Sequence, residues 1–503
     1  MRKTLSLALA ATAVAAAAMS GAPAAATPDT PTATTDSLKW GPCPQKAGSQ
    51  KTGAQKTGAQ DAAAPRLECA TLDVPLDYRA PEGRQIEIAV SRLASRDPSK
   101  RRGVLLTNPG GPGGSGLDYP ALLAGAGLPK AVLDSYDVIG FDPRGVGRST
   151  PVTCDLTPRQ QARGNFPPYA HTAADVAKEA PYARTIAEQC GTSRTAWMLP
   201  HTTTANTARD MDRIRAALGE PKASYLGASY GSYLGAVYTT LFPGRSDRIV
   251  LDSNMGPGGY DLGNFRLLGR GMEDRFPDFA AHAAAHPEYG LGSTPKQVTA
   301  KFFELAKRLD AKPVGGIDGT LFRGVTFDRL YVDGLMPELA EEWRALDKGE
   351  PLPPPPPLSE NLLASHFYVT CGDSRWPGKV RDYQRNAAID RLKYPKLGGS
   401  TGSIKPCAYW PDSRVEPPVR IGDSGPSNVL MVQNERDPGT PLVGAMKLRR
   451  ALGDRATMVT ADQGGHGVYP FGRNMCANNS VTAFLADGRR PAEDIACAAE
   501  PDK

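Results

Sequence analysis

Histidine is scarce in this chain, with six copies in 503 residues, and tryptophan scarcer still at five. A proton-transferring imidazole, if the chemistry needs one, must therefore come from a short list. The eight cysteines form no C-x-x-C pair, which argues against a zinc site, and no metal or organic cofactor is expected. Beyond the N-terminal stretch no run approaches 18 apolar residues, so no stable membrane association is expected. A basic stripe is missing too: 59 basic and 53 acidic residues are mixed along the chain, for a net charge of +6, which argues against a nucleic-acid partner.

What is present begins with "MRKTLSLALAATAVAAAAMSGAPAAATPDT". A basic start, an apolar stretch and the small residues Ala24-Ala25-Ala26 form the pattern of a secretory signal peptide over 1–26, cleaved near Ala26. Without Arg2 and Lys3 the mature chain is about +4. Residues 27–66, with the tandem "KTGAQKTGAQ", read as a flexible segment or propeptide. An even cysteine count in an exported chain predicts four disulfides. Eight cysteines allow 105 pairings. Pairing sequence neighbours closes short loops and is the expectation adopted: Cys43–Cys69, Cys154–Cys190, Cys371–Cys407 and Cys476–Cys497. The secreted protein is expected to be a monomer.

From about residue 70 short apolar runs alternate with helical periodicity. "ATLDVPLDY", "IEIAVSRL", "GVLLTNPGG", "YDVIGFDPRG", "KASYLGAS", "RIVLDSN", "SNVLMVQNERD" and "ATMVTADQGGHG" read as strands. Helical stretches such as "TTANTARDMDRIRAALG" lie between them. Such alternation predicts an α/β fold with a mainly parallel sheet, helices on both faces and chemistry at the strands' carboxyl ends. Roughly 170 residues separate the sixth and seventh runs, far beyond an ordinary connection. Three amphipathic helical patterns and the stiff "PLPPPPPL" fill the gap. The predicted layout is a core over 67–254, a helical cap insertion over 255–425 and a returning core over 426–503.

At the end of the fifth run stands Gly227-Ala228-Ser229-Tyr230-Gly231. A strand entering and a helix leaving a tight turn hold the central hydroxyl above the sheet, and bulkier residues two positions either side would collide with neighbouring elements. A serine hydroxyl needs a base, and the base an orienting carboxylate, in the chain order Ser, acid, His on this kind of sheet. Of His171, His201, His282, His286, His366 and His466, only His466 follows the last two strands, in "DQGGHGVY". The acid should end the penultimate strand, where Asp437 precedes a Pro-Gly-Thr-Pro turn and Glu435 is the alternative. Oxyanion donors are expected from Tyr230 N–H and from "TNPGGPGGSG", with Gly111 N–H the choice there. A phosphate cradle would require a Lys-Ser/Thr pair, which that loop lacks.

Together "NPGGPGGSG", "DVIGFDPRGVGRST", "YLGASYGSYLG", "QNERDPGTP", "GGHG" and "CAYWP" resemble the secreted actinobacterial tripeptidyl aminopeptidases, relatives of prolyl iminopeptidase among the α/β-hydrolases. The resemblance implies Ser229 as nucleophile, Asp437 as acid, His466 as base, and Gly111 and Tyr230 as oxyanion hole. It also implies a structural or lining role for Asp142 and Arg144 below the site. Pro109 stands where prolyl iminopeptidases usually carry histidine in H-G-G-P-G, which loosens the tie to strict proline release. The implied activity is release of short peptides, mainly tripeptides, from peptide or protein substrates with a free N-terminus.

Recognition of that ammonium calls for carboxylates. Glu338, Glu341 and Glu342 offer them: helical spacing puts Glu338 and Glu342, or Glu338 and Glu341, on one face, a solvated acidic face being the competing reading, and Asp373 lies further on. Trp343, Trp376 and Trp410 could line a pocket or fill a core. A secreted carboxylesterase or lipase with the same triad, and a silent hydrolase scaffold used for binding, are the competing readings. A large apolar cap surface would favour the ester.

Overall fold

The structure, a computed structural model, describes residues 38–44, 67–353 and 356–500. The expected signal peptide, residues 27–37 and 45–66 of the following segment and part of the proline run lie outside the described residues. Ten strands form one sheet: β1 (Gly41–Pro42), β2 (Leu67–Pro75), β3 (Gln85–Leu93), β4 (Gly103–Asn108), β5 (Tyr136–Phe141), β6 (Ala223–Ala228), β7 (Ser246–Asp252), β8 (Val429–Arg436), β9 (Ala456–Gly464) and β10 (Ile495–Cys497). Their order is β1-β2-β3-β5-β4-β6-β7-β8-β9-β10. β1 to β3 run antiparallel to their neighbours, and β4 to β10 pair in parallel.

The central strands read as unbroken apolar runs because both sheet faces are covered. Successive residues alternate between two cores. Leu106, Tyr225, Leu251 and Met431 belong to one, and Leu105, Leu226, Val250 and Leu430 to the other. The order reverses around β4, so the loops after β4 and β6 open on one crevice at the strands' carboxyl ends. The short β1 and β10 carry no sequence signal of their own; each is tied to a neighbouring element, β1 to β2 by Cys43–Cys69 and β10 to the helix Met475–Asp487 by Cys476–Cys497. The structure also pairs Cys154 with Cys190 and Cys371 with Cys407.

Between β7 and β8 the chain is helical, with Leu262–Ala285, Pro295–Ala311, Gly319–Arg329 and Met336–Lys348 around a separate apolar cluster. Trp343 is buried there among the rings of Phe276, Phe279, Phe302 and Phe322. Two features depart from the predicted layout. The helix Ala173–Thr192, within the stretch assigned to the core, packs through Val176 and Ala180 against Tyr383 and Ala387 of the helix Val380–Lys393. Conversely, the helix Glu360–Asp373 buries Leu363, Phe367 and Tyr368 in the core that also holds Leu106 and Tyr225. Helices from two separate stretches of chain thus pack on each other, and Ala173–Thr192 also buries Ile186 and Cys190 in the core that holds Leu106 and Tyr225.

Candidate active site

Ser229 sits between β6 and the helix Tyr230–Leu241 with φ 60° and ψ −125°, a conformation L-residues rarely adopt. Its N–H donates to the Asp252 carbonyl at 3.0 Å. The flanking glycines are required by space: a Cβ on Gly227 would lie 2.4 Å from the Gly231 carbonyl oxygen, and one on Gly231 2.7 Å from that of Asn108. Gly110 comes equally close, since a Cβ there would meet Ser229 Cβ at 2.8 Å and Tyr230 N at 3.2 Å. The glycine loop after β4 therefore lies directly over the serine. Among the described residues neither Gly111 N–H nor Tyr230 N–H has an acceptor. Two unsatisfied donors beside a half-buried hydroxyl are what a developing oxyanion needs.

Asp142 organises that loop from beneath. Its carboxylate accepts from Ser115 Oγ at 2.6 Å, Gly116 N at 3.0 Å and Arg148 N at 2.8 Å. Arg144 is buried further away, in a two-point pair with Asp210 (2.7 and 2.6 Å) that also donates to the carbonyls of Leu76 and His201.

His466 Nδ1 lies 2.9 and 3.0 Å from the two oxygens of Asp437. The buried carboxylate also accepts from Gly439 N and Thr440 N, both at 2.8 Å, and from Thr440 Oγ1 at 2.9 Å. Glu435, half-buried on β8, makes no hydrogen bond to the imidazole. Burial pulls the His466 pKa down, but the Asp437 charge, its hydrogen bond and the more distant Asp252 outweigh this, so it ends above its ordinary value. No hydrogen bond joins Ser229 Oγ to His466 among the described residues; such contacts commonly tighten only with substrate in place.

One residue ties the two together. Asp252, at the end of β7, holds Ser229 through its carbonyl. Its carboxylate accepts from Val468 N at 3.0 Å and Tyr469 N at 2.7 Å, just past the histidine. Burial pushes its carboxyl up to about 6. Tyr331, from the helical insertion, accepts His466 N–H on its carbonyl at 2.8 Å and lays its ring edge-on to the imidazole, centroids 4.8 Å apart. Neither residue was singled out from the sequence. Asp252 had a usable signal, a carboxylate ending a strand; Tyr331 had none.

The expected ammonium receptors are used otherwise. On Met336–Lys348 the inward positions are Leu339, Ala340, Trp343 and Leu346. Glu338 and Glu342 pair with Arg329 at 3.0 and 2.7 Å, and Glu341 pairs with Arg344. That helix face points outward, and its carboxylates are neutralised by neighbouring arginines. Asp373 is committed to Thr204, accepting from both its N–H and its hydroxyl. Trp376 packs on Phe265 and Trp410 on Tyr368.

A strained serine at a strand–helix turn, a carboxylate-held imidazole and open N–H donors on this sheet define a serine hydrolase of the α/β-hydrolase fold. Family models agree: one described as "alpha/beta hydrolase fold" matches residues 103–295, and one described as "TAP-like protein" matches 396–497. The tripeptidyl aminopeptidase of Streptomyces lividans is 36% identical, over 86% of this chain and 84% of its own. Serine protease Hip1 of Mycobacterium tuberculosis is 29% identical over 85% and 87%. Carboxylesterase B of the same organism is 29% identical over 86% of each chain. The chain belongs to the tripeptidyl aminopeptidase family of α/β-hydrolases.

Proposed function

We propose that this chain is an exported serine aminopeptidase that removes short peptides, chiefly tripeptides, from free N-termini. In this reading Ser229 Oγ attacks the scissile carbonyl while its proton passes to His466 Nε2, and Asp437 stabilises the imidazolium through Nδ1. Gly111 and Tyr230 N–H receive the oxyanion, each contributing about 3 kcal/mol. Collapse breaks the C–N bond, and His466 returns the proton to the leaving amine. Water, deprotonated by the same imidazole, then cleaves the acyl-enzyme and releases the peptide acid.

The observation that carries the exopeptidase part is the roof. A Cβ on Gly113 of the oxyanion loop would lie 2.6 Å from the Leu362 carbonyl oxygen, and Tyr331 covers His466 from the other side. A site roofed at both its oxyanion and imidazole ends favours entry of a chain end. The relatives named as a tripeptidyl aminopeptidase and a serine protease support peptide substrates. Export is supported by disulfides that leave no free cysteine among the described residues, which also contain no helix long and apolar enough to cross a membrane.

An ester substrate is the second reading. It is favoured by the carboxylesterase relative. Incubating the enzyme with one peptide, free and N-acetylated, and weighing the fragments tests the proposal. Tripeptides from the free form alone are expected; internal cuts in both forms would falsify the exopeptidase reading. Labelling by a sulfonyl fluoride should fall on Ser229 and vanish in Ser229→Ala.

A further inference from the structure

An enzyme that counts residues from a free N-terminus needs an anion at a fixed distance from its nucleophile, and the three cap glutamates are already neutralised. Asp328 is not. It sits in the last turn of the helix Gly319–Arg329, and its carboxylate has no hydrogen bond or ion pair among the described residues. The neighbouring Arg329 turns instead to Glu338 and Glu342. Backbone contacts place it close to the catalytic imidazole. Tyr331 N–H donates to the Asp328 carbonyl at 3.2 Å, and the Tyr331 carbonyl accepts His466 N–H at 2.8 Å.

Asp328 is also exposed, although enough protein surrounds it for burial to lift its carboxyl to about 6 against the opposing charge of Arg329. Tyr331, whose N–H is held by the Asp328 carbonyl and whose own carbonyl holds His466 N–H, feels the charges of both Asp328 and Asp437.

We propose that Asp328 receives the α-ammonium of the substrate and so fixes how many residues lie between the N-terminus and the cut. This deepens the aminopeptidase reading and rests on it. An ammonium carries three N–H donors and suits a carboxylate with both oxygens free. His466 touches the ring of Tyr331, centroids 4.8 Å apart, and Tyr331 that of Phe327, the residue before Asp328, at 5.3 Å, so the helix carrying Asp328 is joined to the imidazole through one intervening side chain.

The test uses tri-alanine p-nitrophenyl ester, free and N-acetylated, because an activated ester keeps the blocked substrate's rate measurable. The ratio of the two kcat/KM values cancels whatever the triad contributes to both. In Asp328→Asn and Asp328→Ser, the free-over-acetylated ratio should fall by about tenfold or more, the loss of one charged hydrogen bond. In the unmodified enzyme the ratio should fall as pH drops through about 6, where Asp328 takes up a proton; Arg329, Tyr331 and His466 are the other titratable groups around it. That measurement needs no variant to fold. A wild-type enzyme that discriminates, with variants that discriminate equally, overturns the assignment of Asp328. An equal fall for both substrates, with the ratio intact, makes the residue merely structural and overturns it too. A wild-type enzyme indifferent to acetylation refutes the aminopeptidase reading itself.

Discussion

Asp437 is saturated by the turn that follows it. The N–H groups of Gly439 and Thr440 and the Thr440 hydroxyl hold its two oxygens, and His466 Nδ1 takes what remains. A carboxylate so fixed stabilises the protonated ring more than burial destabilises it, which is why the His466 pKa lies above its ordinary value. As a base, His466 must be neutral. The acid limb of kcat/KM should therefore have its midpoint above about 6.5, the unperturbed histidine value. Asp437→Asn, which removes the charge, should move that limb to lower pH while cutting the rate by several orders of magnitude. Full activity at pH 4 would contradict the assignment of His466. At the same scale, Arg144 and Asp210 have fully buried side chains. Arg144→Met leaves the buried aspartate its hydrogen bond from the Tyr78 hydroxyl but no counter-charge, and a loss of about 3–5 kcal/mol in denaturant unfolding is expected. Arg144→Lys should not restore it, because a single ammonium cannot make both contacts.

Among the elements, the helix Leu262–Ala285 bears most directly on the chemistry. A Cβ on Gly271 would come within 2.1 Å of the Pro438 carbonyl oxygen, so the helix backbone rests on the turn that carries Asp437. Gly271→Ala should push that turn aside. The expected result is a stability loss of about 1–3 kcal/mol and a fall in kcat larger than any change in KM. An unchanged kcat would show that the acid turn tolerates the displacement. Elements of this kind explain how far the sequence could be read. Ser229, Asp437 and His466 were legible because each ends a strand, and local glycine or proline spacing announces the turn. Helical periodicity could pair Glu338 with Glu342 or with Glu341, but not show that Arg329, nine residues before Glu338, would return to pair with Glu338 and Glu342 while Glu341 pairs with Arg344. Tyr331 and Asp328 had no local signature at all, since their placement depends on how the insertion folds back over β8 and β9.

For the molecule as a whole, the insertion has its own apolar cluster and meets the sheet partly through charge. Arg275, buried in the insertion, pairs with Asp278 and Asp333. Asp278 also receives Arg436 from the end of β8 at 2.9 Å, and Asp333 receives Arg473 from beyond His466 at 2.7 Å. Two arginines of the sheet side thus clip the roof at the histidine end of the crevice. Each clip is partly exposed and individually worth no more than about 1 kcal/mol. The double variant Arg436→Ala/Arg473→Ala leaves Arg275 its two aspartates, so the insertion should keep its fold and lose only its attachment. If the roof is what restricts the site to chain ends, loosening it should admit internal segments. Cleavage of N-acetylated peptide should then rise relative to free peptide, with the unfolding midpoint nearly unchanged, and added salt should produce the same trend in the unmodified enzyme. An intact preference for free N-termini in the double variant would mean that exclusion of chain interiors does not depend on these clips, and would shift the whole burden of end recognition to the anion that holds the ammonium.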